Sequence, residues 1–373
     1  MKDSLDVVLC SLLRVGLGLS QVFPYAPTED EWQILLKMAK QQTVLGIASN
    51  ALSCLQEQAR PPRQLIMRLS FMAETIRGTN FRMNQEAARY TQLFAERGFR
   101  SVILKGQANA RLYPDPLSRQ AGDIDIWVPG GYDKVEHLLL DMGLISESKG
   151  TYRVSHHISF RNENGIEIEV HHRPAEVPFR NSEFQATLLA ESEGSVLTPE
   201  GFYAPGIRFA LIMQLQHLYY HCVHEGAGLR HYMDYFVLLT HSTEADREFV
   251  RGRVGRFGLG HACAAVMWVL GEVFGLPRGS MICPPDRGRG MRLYRECMAG
   301  GNFGRAKAGD AGSRGKGAGY KKRRPLGRWL GNRMHALSWL AFDPLNTVMR
   351  EVQYWRDTIS LIPERIRRRK VLL

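Results

Sequence analysis

Apolar residues in the first hundred positions recur at helical spacing. Leu5, Val8, Leu9, Leu12 and Leu13 form one stripe, and Trp32, Leu35, Leu36 and Met38 form another. Pro27-Thr28-Glu29-Asp30-Glu31 reads as the start of that second helix. The amphipathic stretch from Pro62 to about Arg97 fits one long helix or two separated near Gly78. At Gly98 the period changes. SVILKG reads as a short strand ending in a glycine turn, and GDIDIWV as a strand with strict alternation. QANARLYPDPLSRQA, between them, suits a short helix and a proline-containing loop. After a helix from about Tyr132 to Met142, YRVSHHISF and GIEIEVHHR read as two strands. The Asn-Gly end of the segment joining them signals a hairpin. Helical patterns return in RFALIMQLQHLYYHCVHE, LRHYMDYFVLLTHS and HACAAVMWVLGEVFGL, and again near the C-terminus.

These patterns predict an α+β chain: a core with a mixed β-sheet, flanked by N-terminal and C-terminal helical regions. The expected divisions are a helical region over 1–97, the α/β core over 98–200, a helical cleft-forming region over 201–299, a basic flexible segment over 300–330 and a helical region over 331–373. No internal repeat is found.

At 373 residues and 44% hydrophobic content the chain is long and apolar enough to fold into several packed units. Its net charge of +12 favours nucleotide or polyanionic partners. Much of that excess is local, from Arg305 to Arg328 and from Arg365 to Lys370, where a solvated basic surface is the simpler reading. Those runs lack the interleaved aromatics of a base-stacking platform, which places nucleic acid behind small-molecule partners. The six cysteines are too widely spaced for structural zinc or a dense disulfide scaffold, so free thiols in a reducing, cytoplasmic setting are expected. No stretch is apolar for the roughly 20 residues of a membrane-spanning helix. The apolar start reads as an amphipathic helix, since Asp6 and Arg14 interrupt it.

In Gly122-Asp123-Ile124-Asp125-Ile126-Trp127-Val128 the two aspartates share one side of a strand, and Ile124, Ile126 and Val128 share the other. Adjacent carboxylates repel unless hard divalent cations share them, although two solvated acids at a strand edge also fit this spacing. Ile166-Glu167-Ile168-Glu169-Val170-His171 repeats the division, with Glu167, Glu169 and His171 on one face. If the two strands are neighbours, their acids combine into an oxygen-rich cluster suited to Mg2+, with Mn2+ as the alternative. Leu104-Lys105-Gly106 ends the strand before them, and Gly106 allows a phosphate to approach the backbone.

LKGQANARLYPDPLSRQAGDIDIWV, the later Asp141-Met142-Gly143-Leu144 and IEIEVHHR together resemble the nucleotidyltransferase superfamily with the DNA polymerase beta type of core, in its bacterial branch of uncharacterised nucleotidyltransferase-like proteins. The likeness covers roughly Gly98 to Arg173. It implies that Gly106 belongs to the phosphate-binding turn, Asp123 and Asp125 to the metal pair, and Glu169 to the third acid. The commonest turn of that superfamily has Gly-Ser or Gly-Gly, whereas Lys105 precedes and Gln107 follows Gly106 here.

The expected site therefore has Asp123, Asp125 and Glu169 as catalytic and metal-binding residues, with Lys105, Gly106 and Arg119 contacting nucleotide. His171 shares the face of Glu169 and is a candidate to orient substrate. His217, His221 and His224 fall at spacings of four and three, which puts them on one side of a helix. A cleft-lining role for His217 and His221 is preferred there to a metal site, with Asp234 shaping the same cleft. The leading function is Mg2+-dependent transfer of a nucleoside monophosphate from a nucleoside triphosphate to a hydroxyl- or phosphate-bearing acceptor, small molecule or protein, releasing pyrophosphate. Its rivals are a catalytically inactive nucleotide-binding or protein-interaction scaffold and a nucleic-acid-modifying transferase.

Overall fold

A computed structural model describes residues 4–146, 152–153, 156–175, 181–301, 334–335 and 337–360. Helix α1 (Leu5–Gly16) buries Val8, Leu9, Leu12, Leu13 and Val15, the stripe its periodicity marks. Helix α2 (Glu29–Gln41) begins at a capping box: Thr28 Oγ1 accepts from the Glu31 amide, and the Glu31 carboxylate accepts from the Thr28 amide at 2.8 Å. After α3 (Leu45–Asn50), α4 (Arg63–Ala95) runs unbroken through Gly78, so one long helix occupies this stretch.

The chain then builds a five-stranded sheet in the order β1-β2-β5-β4-β3: β1 (Val102–Ile103), β2 (Ile124–Trp127), β3 (Tyr152–Arg153), β4 (His157–Arg161) and β5 (Glu167–His171). The β2–β5 pair is parallel and the other pairs are antiparallel, which makes the sheet mixed. Short α5 (Gln107–Ala110) separates β1 from β2, and α6 (Tyr132–Asp141) follows β2. YRVSHHISF is not one strand as expected. Tyr152 pairs with Ser159 and Arg153 with Ile158, so the chain reverses between two short strands whose pairing satisfies backbone groups that a single edge strand would leave open.

Alternation gives the sheet two different faces. Ile124, Ile126, Val128, Ile168 and Val170 are fully buried against Tyr90 and Phe94 of α4 and Val135 and Leu139 of α6. Burying each such aliphatic or aromatic side chain contributes roughly 1.5–3 kcal/mol. The opposite face carries Asp125, Glu169 and His171, beside helix α8 (Ile207–His224), which follows α7 (Ser182–Glu191) in the chain. Trp127 anchors that side by stacking on Phe209 of α8 at 6.2 Å. Helix α9 (Leu229–Thr240) packs next to α8, with α10 (Glu244–Val254), α11 (Gly260–Phe274) and α12 (Arg287–Gly300) beyond. The N-terminal helices α1–α3 and the helices after residue 206 share one apolar core. The molecule is thus a mixed α+β fold, with a central sheet flanked by helical N- and C-terminal regions. Most of the basic segment expected over 300–330, together with the Arg365–Lys370 run, lies outside the described residues. Among the described residues no helix is long and apolar enough to cross a membrane.

Candidate active site

Parallel pairing of β2 with β5 puts Asp125 directly beside Glu169, and antiparallel pairing of β4 with β5 puts His157 beside His171. The side chains converge accordingly. His171 Nε2 is 3.1 Å from Asp125 Oδ1 and 3.7 Å from Glu169 Oε2, and His157 Nδ1 is 3.7 Å from Glu169 Oε2. One ligand atom from each of Asp125, Glu169 and His171 lies within 4.8 Å of the others. Lys105 Nζ reaches into this group from the end of β1, 2.6 Å from Asp125 Oδ2 and 4.0 Å from Asp123 Oδ2. Asp123 stands at the mouth, with 34% of its side chain exposed, while the Asp125 side chain is fully buried. Gly106 follows Lys105 with φ +63°, a left-handed backbone that glycine adopts without a Cβ penalty.

The electrostatics follow from burial and these neighbours. Burial opposes the Asp125 charge, but Lys105 and His171 outweigh it and hold the carboxyl well below its ordinary range. Burial likewise opposes the Lys105 charge, yet Asp123, Asp125 and Glu169 together keep it an ammonium. Glu169 is pushed above its ordinary value, chiefly by burial, against the hydrogen bond from His171. For His171 burial favours the neutral ring, while its bonds to Asp125 and Glu169 prevail and raise its pKa. The donor set suits a hard divalent cation: carboxylate oxygens dominate it, one imidazole is available, and no cysteine takes part. Asp125 Oδ2 is buried with the Lys105 ammonium 2.6 Å away, so a cation already balances this oxygen.

A second polar layer braces this one. Arg119 donates from Nε and Nη2 to both oxygens of Asp234, at 2.8 and 2.7 Å, and Tyr113 donates to Asp234 Oδ1 at 2.6 Å. All three groups are buried, and the Asp234 carboxyl is held below its ordinary range by Arg119 against the cost of burial. Arg119, expected at nucleotide, thus directs a two-pronged pair to Asp234 while still lining a pocket with Lys105, Gly106, Asp123 and Asp125. Asn109, just past the turn, exchanges two side-chain hydrogen bonds of 2.7 Å with Gln214 of α8. A larger cavity of about 340 Å3 opens between Glu169, His157 and His171 on the sheet and His217 and His221 on α8.

Sequence spacing grouped His217 and His221 with His224. The structure replaces His224 by His231 of α9, whose ligand atom lies within 4.8 Å of those of the other two. It also brings in Arg230, which donates to the Gln120 carbonyl at 2.9 Å and lies against Gly122, and His157, now beside Glu169. The strand parity of His157 was readable, since it opens an alternating run. Nothing local marks Arg230 or His231, because their place at the site depends on how α9 docks.

Neither a curated protein nor a solved structure matches the chain. A family model described as "Uncharacterised nucleotidyltransferase" matches residues 28–275, a span that takes in the glycine turn, the acidic strands and both histidine-bearing helices. Since that match covers well over half of its length, the chain belongs to this nucleotidyltransferase-like family.

Proposed function

We propose that the protein moves a nucleoside monophosphate from a nucleoside triphosphate to a hydroxyl- or phosphate-bearing acceptor, with Mg2+ as its metal and Mn2+ as a substitute. The observation that carries this reading is the β2–β5 register, which aligns Asp125 with Glu169 one strand away from the Lys105-Gly106 turn. Asp123, Asp125 and Glu169 would hold the metal, which when bound supplies charge neutralisation at the triphosphate and acceptor oxygens. Lys105 balances phosphate charge, and Gly106 leaves the turn open to the nucleotide. Glu169, beside the acceptor cavity, takes the proton of a hydroxyl acceptor. The acceptor oxygen bonds to the α-phosphorus, the bond from that phosphorus to the bridging oxygen breaks, and pyrophosphate leaves beside Lys105. The 340 Å3 cavity between sheet and α8 is the place for the acceptor. The wide spacing of the six cysteines favours a cytoplasmic setting.

Incubating the purified chain with each of the four nucleoside triphosphates and a metabolite pool, followed by mass spectrometry, tests this reading. The expected result is an adduct carrying one nucleotidyl mass, stoichiometric pyrophosphate, and loss of both on chelation. Nucleotide binding without turnover under every combination would favour the inactive scaffold instead.

A further inference from the structure

We infer that His217, His221 and His231 form a second metal site, separate from the carboxylate cluster and selective for a borderline transition-metal dication of the zinc class. Two of the ligands lie four residues apart on α8, and the third enters from the first turn of α9. Their rings stand 4.3 Å (His217–His221), 4.8 Å (His221–His231) and 6.0 Å (His217–His231) apart between centroids. One ring nitrogen from each falls within 4.8 Å of the others, so small rotations bring three donors onto one ion. A three-imidazole set is a nitrogen site, which Mg2+ does not favour and zinc-class ions do.

The surroundings support the same ion. His231 Nδ1 is buried and has no hydrogen-bond partner among the described residues, a cost that a ligand removes. Glu225 Oε2 lies 3.0 Å from His221 Nδ1, the carboxylate–imidazole contact that orients a metal-bound ring and raises its basicity. Lys105 opposes a cation here, since it is the leading charge acting on His217. The Glu225 carboxylate, held ionised by His221, offsets it. Three protein ligands leave a fourth position, and His217 and His221 border the cavity shared with Glu169. An oxygen or nitrogen donor on the acceptor is the ligand that position would take.

This site stands or falls separately from nucleotidyl transfer, and zinc itself is the probe. Chelator-stripped full-length protein, held in excess Mg2+ to occupy the carboxylates, should bind one zinc per chain. H221N and H231N should each weaken binding by more than about 100-fold, and E225Q by about 10- to 100-fold, the range seen for outer-shell partners. The D125N/E169Q double variant should keep its zinc. X-ray absorption of the unsubstituted protein with one equivalent of zinc needs no variant, and three imidazoles at about 2.0–2.1 Å are expected. A shell dominated by carboxylate oxygen, or zinc lost with D125N/E169Q and kept by H221N and H231N, would overturn the assignment.

Discussion

Glu167 and Glu169 have the same strand parity, and the structure separates them by what each one touches. Glu169 sits beside Asp125 with a fifth of its side chain exposed, near His157 and His171. Glu167, 43% exposed, is held by Arg161 at 3.1 Å at the far end of the same pair of strands. Removing the Glu169 charge should therefore remove a metal ligand and a proton acceptor together. E169Q and D125N should each lower turnover by about 100-fold or more, the scale of losing a positioned acid or base, while E167Q should stay within a few-fold of the parent. Steady-state rates, with circular dichroism confirming that each variant is folded, make the comparison. Near-normal turnover in folded E169Q beside a crippled E167Q would reverse the assignment.

Elements were legible wherever a period repeats, and glycine shows where that stops. From composition alone Gly78 looked able to split α4, yet the helix passes through it and a Cβ there would meet nothing within 4 Å. Gly46, in the shorter α3, lies against the next segment so closely that a Cβ would stand 2.1 Å from the Ser118 carbonyl oxygen. The same substitution should then have opposite signs. Gly78→Ala should stabilise by about 0.5–1 kcal/mol, because it restricts the unfolded chain and meets no clash. Gly46→Ala should cost about 1–3 kcal/mol or more, because backbone must move to admit it. Urea unfolding of the two variants, fitted with a common slope, reads both signs, and stabilisation by Gly46→Ala would contradict the packing described. Alternation in Ile124–Trp127 and Glu167–His171 disclosed the apolar and acidic faces of those strands. It could not disclose that they pair in parallel across the sequence between them, since pairing is a tertiary choice. The strand read from YRVSHHISF failed because a reversal within seven residues leaves no period long enough to detect. The pair of Arg119 with Asp234 and the third histidine at 231 were hidden for a related reason: each joins groups on separate elements, and spacing reports only on one.

For the molecule as a whole, the density of buried histidine around the cleft should make stability depend on pH well above the carboxylate range. His156 is pushed down to about 2 and His157 to about 3, in both cases first by burial and then by neighbouring imidazoles. His217 and His231 are depressed for the same leading reason. In the unfolded chain each of these rings takes a proton near pH 6.5. Below that pH the unfolded state therefore binds more protons than the folded one, and stability must fall as pH falls. His171 works in the other direction: its folded pKa is raised, so its contribution is complete below about 6.5 and fades as pH rises through the folded value. Glu169, also raised, opposes this slope in the same sense as His171, and two raised groups against four depressed histidines still leave the net slope positive, at up to about 1.4 kcal/mol per pH unit for each uncompensated proton. Asp125 and Asp234, whose folded values are lowered, add a further loss only below about pH 4. Two regimes should appear when the urea midpoint is followed with a chelator present: above about pH 7 a shallow fall with rising pH as His171 gives up its proton, and below 6.5 a steeper decline towards 5, before the carboxylates titrate. H231N takes one depressed group out of the set and should flatten that decline. A midpoint unchanged between pH 7 and 5 would mean that the folded protein accepts these protons, and that the cleft does not keep its imidazoles neutral.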